Sequence, residues 1–185
     1  MTRFRAFAAL LIGVGIVAAS SVFARHADNQ TSSLQFSATQ MDVAVDGKFG
    51  KFTADVDFDL AHPNSGRVSL VIDLGSVATE SAEADDLLRG KDFFDIARFP
   101  QARFVSNNIS SLDTGHFRAA GQLSLKGLTS QLVVPFTARQ EGAGLRIQGQ
   151  IPVSRLAFHI GEGQWADTGT LSDLVNIKFS LYVLP

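Results

Sequence analysis

Residues 51–60, KFTADVDFDL, alternate polar and apolar side chains without a break. Successive side chains of a β-strand point to opposite faces of its sheet, so this period of two predicts a strand with one buried face. A turn is expected next, because residues 63–66 read Pro-Asn-Ser-Gly. The face expected to be buried carries five apolar side chains, Phe52, Ala54, Val56, Phe58 and Leu60.

The same alternation returns along most of the chain and predicts about eight strands, which makes the fold all-β. Antiparallel strands with one apolar face form either a barrel or a sandwich, and alternation alone does not separate the two. An eight-stranded barrel closes its own edges and can enclose one small ligand. The further strands are expected at residues 34–39, 68–74, 102–109, 117–126, 132–138, 145–153 and 175–183.

One segment breaks this rhythm and predicts a short helix near residues 80–90. Residues 81–89, SAEADDLLR, combine helix-forming residues with acidic side chains in the first turn. Gly90 follows as a stop signal. The helix suits the rim of a barrel, and the glycine-rich residues 156–172 predict a long loop.

The beginning of the chain predicts a secretory signal peptide over residues 1–24, with cleavage after Ala24. Arg3 and Arg5 precede an apolar run of about 14 residues, which is shorter than the ~20 that a membrane-spanning helix needs. We therefore expect a periplasmic protein that does not span the membrane after cleavage. Residues 25–33 are polar and predict a flexible leader, followed by the barrel domain at 34–185.

Charge and composition exclude several functions. The signal contains two of the sixteen basic residues and none of the eighteen acidic ones, so its removal leaves a net charge of −4. A weakly acidic chain is a poor nucleic-acid binder. No cysteine is present, which rules out thiol catalysis. The spacing of the four histidines does not match a metal site. The sequence also contains no phosphate-binding or dinucleotide-binding motif, so we expect no cofactor.

Catalysis has one candidate group, a set of acidic residues around the expected helix. Paired carboxylates can act as general acid and base. The alternative is that these side chains cap the helix and face solvent. Because no nucleophile motif accompanies them, we expect a protein that is not an enzyme. The four residues are Asp85, Asp86, Asp92 and Asp95.

Phenylalanine is unusually frequent, with fifteen residues against one tryptophan and one tyrosine. A phenyl ring is large, apolar and needs no hydrogen-bond partner. Such residues suit a wide, dry interior, but they also suit a tightly filled core. Composition alone leaves both alternatives open.

Residues 88–104, LRGKDFFDIARFPQARF, resemble the hallmark of the YceI-like family. That hallmark joins a leucine-arginine pair, an Asp-Phe-Phe-Asp run and an aromatic-proline pair. Residues 72–79, 121–129 and 173–177 resemble three further family segments, in order and at suitable spacing. The resemblance extends from about residue 34 to residue 183.

This resemblance implies a lipocalin-like antiparallel barrel in the periplasm that holds a long isoprenoid lipid, such as a prenylated quinone or prenyl phosphate. It implies storage or transport of that lipid without catalysis or metal. Residues 163–165, Gly-Gln-Trp, resemble a branch often fused to, or encoded beside, b561-type membrane cytochromes. Such a cytochrome is therefore a candidate partner, and a homodimer stays open.

The candidate residues of the cavity wall are those at the alternate strand positions that are expected to face the interior. Phe93, Phe94 and Trp165 are candidates for the mouth of the barrel, although Phe93 and Phe94 also suit pinning the helix against it. The alternative function is a partner-binding module with a filled core beside a cytochrome. The candidates for the cavity lining are Phe52, Val56, Phe58, Leu70, Ile72, Phe104, Leu123, Phe136, Ile147 and Phe179.

Overall fold

The computed structural model describes residues 25–184, so the expected signal peptide and its cleavage site lie outside the described residues. Eleven strands and one α-helix, α1 at Ala82–Arg89, make up most of this part of the chain. All strand pairs are antiparallel within a single sheet. The strands are β1 (Arg25–His26), β2 (Ser33–Gln40), β3 (Val43–Phe49), β4 (Phe52–Asp57), β5 (Arg67–Asp73), β6 (Val77–Ala78), β7 (Gln101–Asp113), β8 (His116–Leu125), β9 (Leu128–Glu141), β10 (Gly144–Ser154) and β11 (Leu174–Val183).

Two bends allow this sheet to curl into a barrel. Only Gly50 and Lys51 separate β3 from β4, yet β3 pairs with β2 while β4 pairs with β5. A 3-10 turn at Leu74–Ser76 bends the neighbouring strand in the same place, so that β6 continues β5 and pairs with β3. The carbonyl and hydroxyl oxygens of Ser76 accept the N–H groups of Gly50 and Lys51, both at 3.0 Å.

The all-β barrel with one short helix is thereby confirmed, although the described residues form eleven separate strands where about eight were predicted. Counting β3 with β4, and β5 with β6, as two bent strands gives eight strands around the barrel and leaves β1 as an addition. The sequence analysis missed β3 because its first three residues, Val43, Ala44 and Val45, are all apolar and do not alternate, and because a glycine occupies position 47. It missed β1 and β6 because each has only two residues.

The first residues of the expected flexible leader are part of the sheet. Arg25 and His26 pair with β4, and Ala27 forms a bridge to Val183 at the end of β11. The N–H of Asp28 donates to the carbonyl of Tyr182 at 2.8 Å. The leader therefore joins β4 to β11 along one side of the barrel.

The helix begins and ends as its sequence predicts. The hydroxyl of Ser81 accepts the N–H of Ala84 at 3.3 Å, which satisfies one of the free donors of the first turn. Gly90 ends the helix with its N–H donating to the carbonyl of Leu87. Arg89 then fastens α1 to the bend of β5 and β6 by donating to the carbonyls of Gly75 and Val77, at 3.2 and 2.9 Å.

Candidate functional site

The barrel encloses a cavity of about 570 Å³. Its wall is almost entirely apolar because the strands turn their alternate apolar side chains inward. The size falls within the ~300–1,000 Å³ typical of small-molecule sites. The cavity is the candidate functional site, and it is the feature that separates a hollow barrel from a filled one.

All ten residues proposed from parity lie on the wall of this cavity. Leu70, Leu123 and Phe179 are only half-buried although they face inward, since part of their apolar surface borders the cavity. The alternation therefore places these ten side chains on the side of the strands that faces the cavity. Contact of these residues with a ligand stays a prediction.

Glycines on neighbouring strands help to keep the interior open. Gly149 of β10 lies opposite Phe179 of β11, and a Cβ atom at Gly149 would stand 2.4 Å from Cζ of the ring. The ring can therefore rest against the wall, where a larger residue at 149 would push it toward the middle of the cavity. This pairing of glycine with phenylalanine accounts for part of the high phenylalanine content.

Three phenylalanines close the end of the barrel opposite α1, and we call them the floor. Phe58 meets Phe117 and Phe136 edge-on, with ring centroids 5.0 and 5.6 Å apart, while Phe117 and Phe136 stack at 5.5 Å. Phe58 and Phe136 border the cavity, and Phe117 supports them from below. Each is at most 8% exposed.

The other end is covered by α1 and by two segments, residues 90–99 and 155–172. Phe93 and Trp165 join the two segments through edge-on rings with centroids 5.6 Å apart. Phe94 packs on Phe49 of β3 at 6.0 Å. All three mouth candidates therefore belong to the cover, and their side chains border the cavity. Phe93 is only 4% exposed.

The mouth itself is formed by other residues, between the β2–β3 turn and the beginning of α1. These are partly exposed side chains that also border the cavity, and most are polar. Sequence analysis missed them because they lie outside the strands that it predicted, where no alternation pointed to the interior. The signal that could have located them is a cluster of polar residues directly after inward-facing apolar ones. The mouth comprises Gln40, Val45, Thr79, Ser81, Glu83 and Leu87.

Asp85 fixes the beginning of α1 beside the mouth. Its Oδ1 accepts the backbone N–H of Thr79 at 2.6 Å and the hydroxyl of Thr79 at 2.8 Å. These two bonds, the backbone bond first, hold the pKa of the Asp85 carboxyl below its usual value, and Arg89 lowers that pKa further.

The four acidic residues considered for catalysis contact other groups, and no three acidic or histidine side chains gather among the described residues. Arg89 approaches Asp85 at 3.9 Å and Asp86 at 3.0 Å. Asp95 is buried, adopts a left-handed backbone with φ of 49°, and faces Arg98 at 3.5 Å. Asp92 contributes its carbonyl, which accepts the N–H of Gly161 at 2.8 Å. These contacts indicate that the four residues stabilise α1 and the cover.

Arg155 holds the second segment of the cover together. It is 4% exposed, and its five N–H donors are each directed at a backbone carbonyl. Burial lowers the pKa of its guanidinium, and Asp173 opposes that effect. The acceptors are the carbonyls of Ile160, Gly161, Trp165, Leu171 and Ser172, at 2.6–2.9 Å.

Lys126, in the turn between β8 and β9, joins both segments of the cover. Its Nζ donates to the carbonyl of His159 at 2.6 Å and to that of Asp92 at 3.3 Å. Burial lowers the pKa of this ammonium, while Glu162, Asp95 and Asp92 act in the opposite direction.

Across residues 25–184, no three His, Asp or Glu side chains come together as metal ligands would. No helix within the same range has the length and apolar character needed to cross a membrane.

Comparison with known proteins gives consistent matches. The model of the YceI-like domain family matches residues 26–183. A UPF0312 protein of Shewanella denitrificans is 34% identical over 161 residues, which cover 82% of this chain and 80% of the relative. The crystal structure of BcnA from Burkholderia cenocepacia has a TM-score of 0.82 and 36% identity, covering 84% of this chain and 98% of that one.

One further structure is similar in fold. A polyisoprenoid binding domain from Saccharophagus degradans, implicated in plant cell wall breakdown, has a TM-score of 0.71. It covers 88% of this chain and 99% of its own, at 18% sequence identity.

Proposed function

Since the chain belongs to the YceI-like family, we propose that it binds a long-chain isoprenoid lipid, such as a prenylated quinone or prenyl phosphate, inside the barrel. The observation that carries the proposal is the apolar cavity of about 570 Å³. The similarity in fold to a polyisoprenoid binding domain supports it. The family matches also confirm the resemblance found in residues 88–104.

Apolar burial supplies the affinity. A prenyl chain that hides ~300 Å² of apolar surface gains about 7 kcal/mol at ~25 cal/mol/Å², before the cost of ordering the chain. A wall made of leucine, valine and phenylalanine side chains recognises such a chain by shape and apolar area. No specific polar motif is required along most of its length.

The proposal includes export and a role without catalysis. The basic and apolar pattern of residues 1–24 favours secretion to the periplasm, where the protein would store or transport its lipid. The acidic residues near α1 serve Arg89, Arg98 and Thr79, which favours binding over hydrolysis. A b561-type cytochrome remains a proposed partner on the sequence of residues 163–165.

The alternative is a partner-binding module with a filled core, and a matched pair of variants separates the two. Val134 borders the cavity, whereas its neighbour Val133 points outward and is 54% exposed. Phenylalanine at 134 narrows the cavity. Phenylalanine at 133 adds the same apolar group to the outer surface.

The test is extraction of purified protein with organic solvent, followed by mass spectrometry of the released lipid. We expect a prenylated molecule in near-stoichiometric amount from the parent protein and from Val133→Phe, and much less from Val134→Phe. A known prenyl lipid added before extraction reports recovery. Full recovery of that standard, with no prenylated lipid from the parent protein, would overturn isoprenoid binding and favour the partner-binding alternative.

A further inference from the structure

The charged residues at the cavity indicate which head group the lipid carries. Among the described residues that border the cavity, only Glu83 and Arg155 are charged. Glu83 lies at the exposed mouth, and Arg155 lies in the covered end. A phosphate or diphosphate head that leaves water to enter the cavity would need a cation or several free N–H donors at one of these two places.

Arg155 has no donor to offer to a phosphate. Each of its five N–H groups already points at a backbone carbonyl, at 2.6–2.9 Å. A phosphate that engaged this guanidinium would leave buried carbonyls of residues 160–172 without donors. The arginine is therefore committed to the cover.

The beginning of α1 is equally unsuited to an anion. A helix N-terminus attracts negative charge, but here the hydroxyl of Ser81 already accepts one of the free donors, the N–H of Ala84. Glu83 and Asp85 supply two carboxylates within the first turn. The mouth is therefore acidic where a phosphate would have to sit.

The neutral polar groups of the mouth suit an uncharged head. Gln40 supplies an amide and Ser81 supplies a hydroxyl, and both border the cavity. Such groups can donate to a quinone carbonyl or exchange hydrogen bonds with a phenol or alcohol. They offer little to an oxyanion beside the carboxylate of Glu83.

We propose that the cavity selects isoprenoids with an uncharged head, such as a quinone, phenol or alcohol, over the corresponding prenyl phosphates, and that Glu83 at the mouth contributes to this selection. The inference rests on the proposed function. Because the mouth is open to water, the repulsion between Glu83 and a phosphate is partly screened. We expect a difference of about tenfold in Kd for ligands of equal chain length.

Trp165 supplies the measurement, since it is the single tryptophan of the chain and borders the cavity. Delipidated full-length mature protein would be titrated with geranylgeraniol and with geranylgeranyl monophosphate, following tryptophan fluorescence and confirming the stoichiometry by native mass spectrometry. We expect the alcohol to bind about tenfold more tightly at low salt. The difference should narrow as salt rises.

The outcomes separate the two proposals. Equal or tighter binding of the phosphate would overturn the selection for a neutral head and leave isoprenoid binding intact. Binding of neither ligand, by protein that is folded and free of lipid, would overturn the proposed function itself.

Two variants test the place of the selection. Glu83→Gln removes the carboxylate at the mouth, and Glu80→Gln is a matched control at an exposed position that does not border the cavity. We expect Glu83→Gln to reduce the preference for the alcohol by about threefold, more than Glu80→Gln does. Equal changes in the two variants would overturn the role of Glu83.

Discussion

Gly47 lies directly opposite Phe36 across β2 and β3, and the end of the phenyl ring covers the glycine. A Cβ atom at Gly47 would stand 2.2 Å from Cζ of Phe36, and its three nearest neighbours would all be atoms of that ring. The glycine is therefore required by the position of one side chain. Phe36 borders the cavity, so this contact helps to set the free space inside the barrel.

We predict that Gly47→Ala pushes the Phe36 ring into the cavity and weakens lipid binding by about tenfold or more. Overpacking of this kind also destabilises a fold by about 1–3 kcal/mol. Binding would be measured by Trp165 fluorescence with an isoprenoid alcohol, and stability by urea denaturation.

A compensating variant tests the cause of that effect. Gly47→Ala combined with Phe36→Leu removes the ring that the new methyl group displaces, so binding should recover relative to Gly47→Ala alone. If the double variant binds no better than Gly47→Ala, displacement of the ring is not the cause.

The floor predicts a limit on chain length. Phe136→Leu removes part of a ring that borders the cavity, while Phe117→Leu removes the same atoms from the supporting ring. Each should cost roughly 1–3 kcal/mol of stability. Only Phe136→Leu should shift the optimum toward longer prenyl chains, measured with a series of alcohols. Equal shifts in both variants would contradict the floor as a length limit.

Parity was sufficient to locate the wall of the cavity but not its width. Phe52 and Phe58 alternate with polar residues in residues 51–60, and that pattern assigned both to the interior. Leu60 has the same parity yet is 38% exposed, because β4 ends at Asp57 and the chain turns away. Alternation predicts a direction only while the strand continues.

The open interior and the mouth depend on contacts between distant segments. A glycine at position 47 reads as a break in a strand, and only its pairing with Phe36 shows that it makes room for a ring. Glu83 and Gln40 are 43 positions apart, and they come to one mouth because β2 ends and α1 begins at the same side of the barrel. The periodicity of a single sequence does not predict contacts between segments so far apart along the chain.

We predict that replacing Arg155 strongly destabilises the protein. Arg155→Met leaves five carbonyls of the cover without their donor, and we expect a loss of about 3–5 kcal/mol in the free energy of unfolding. The exposed Arg98 is the control, since its side chain is 71% exposed and Arg98→Met should cost less than about 1 kcal/mol.

We also predict which part of the protein is destabilised in Arg155→Met. Hydrogen exchange of residues 156–172 should accelerate in Arg155→Met more than exchange of β8 and β9, because the arginine ties that segment to itself. Uniform acceleration across the barrel would instead mean that Arg155 stabilises the whole fold.

We predict that low pH destabilises the mouth because the Asp85 carboxylate becomes protonated. The two hydrogen bonds from Thr79 lower the pKa of Asp85 from its ordinary 3.8. A carboxyl whose pKa is lower in the folded state stabilises the fold above its unfolded pKa. That stabilisation is lost as the pH falls through the folded pKa. Since Thr79 forms part of the mouth, lipid release should increase over the same range, below about pH 4.

Thr79→Val tests this coupling because it removes the hydroxyl donor and keeps the backbone one. We expect the pKa of Asp85, followed by carboxyl-carbon NMR, to rise toward 3.8 in the variant. Asp167 serves as an internal control, because hydrogen bonds from Thr170 and Gly169 lower its pKa independently of Thr79. Its titration should not change. An Asp85 that titrates identically in both proteins would show that the Thr79 hydroxyl does not control this carboxylate, and the backbone N–H of Thr79 would then account for the lowered pKa.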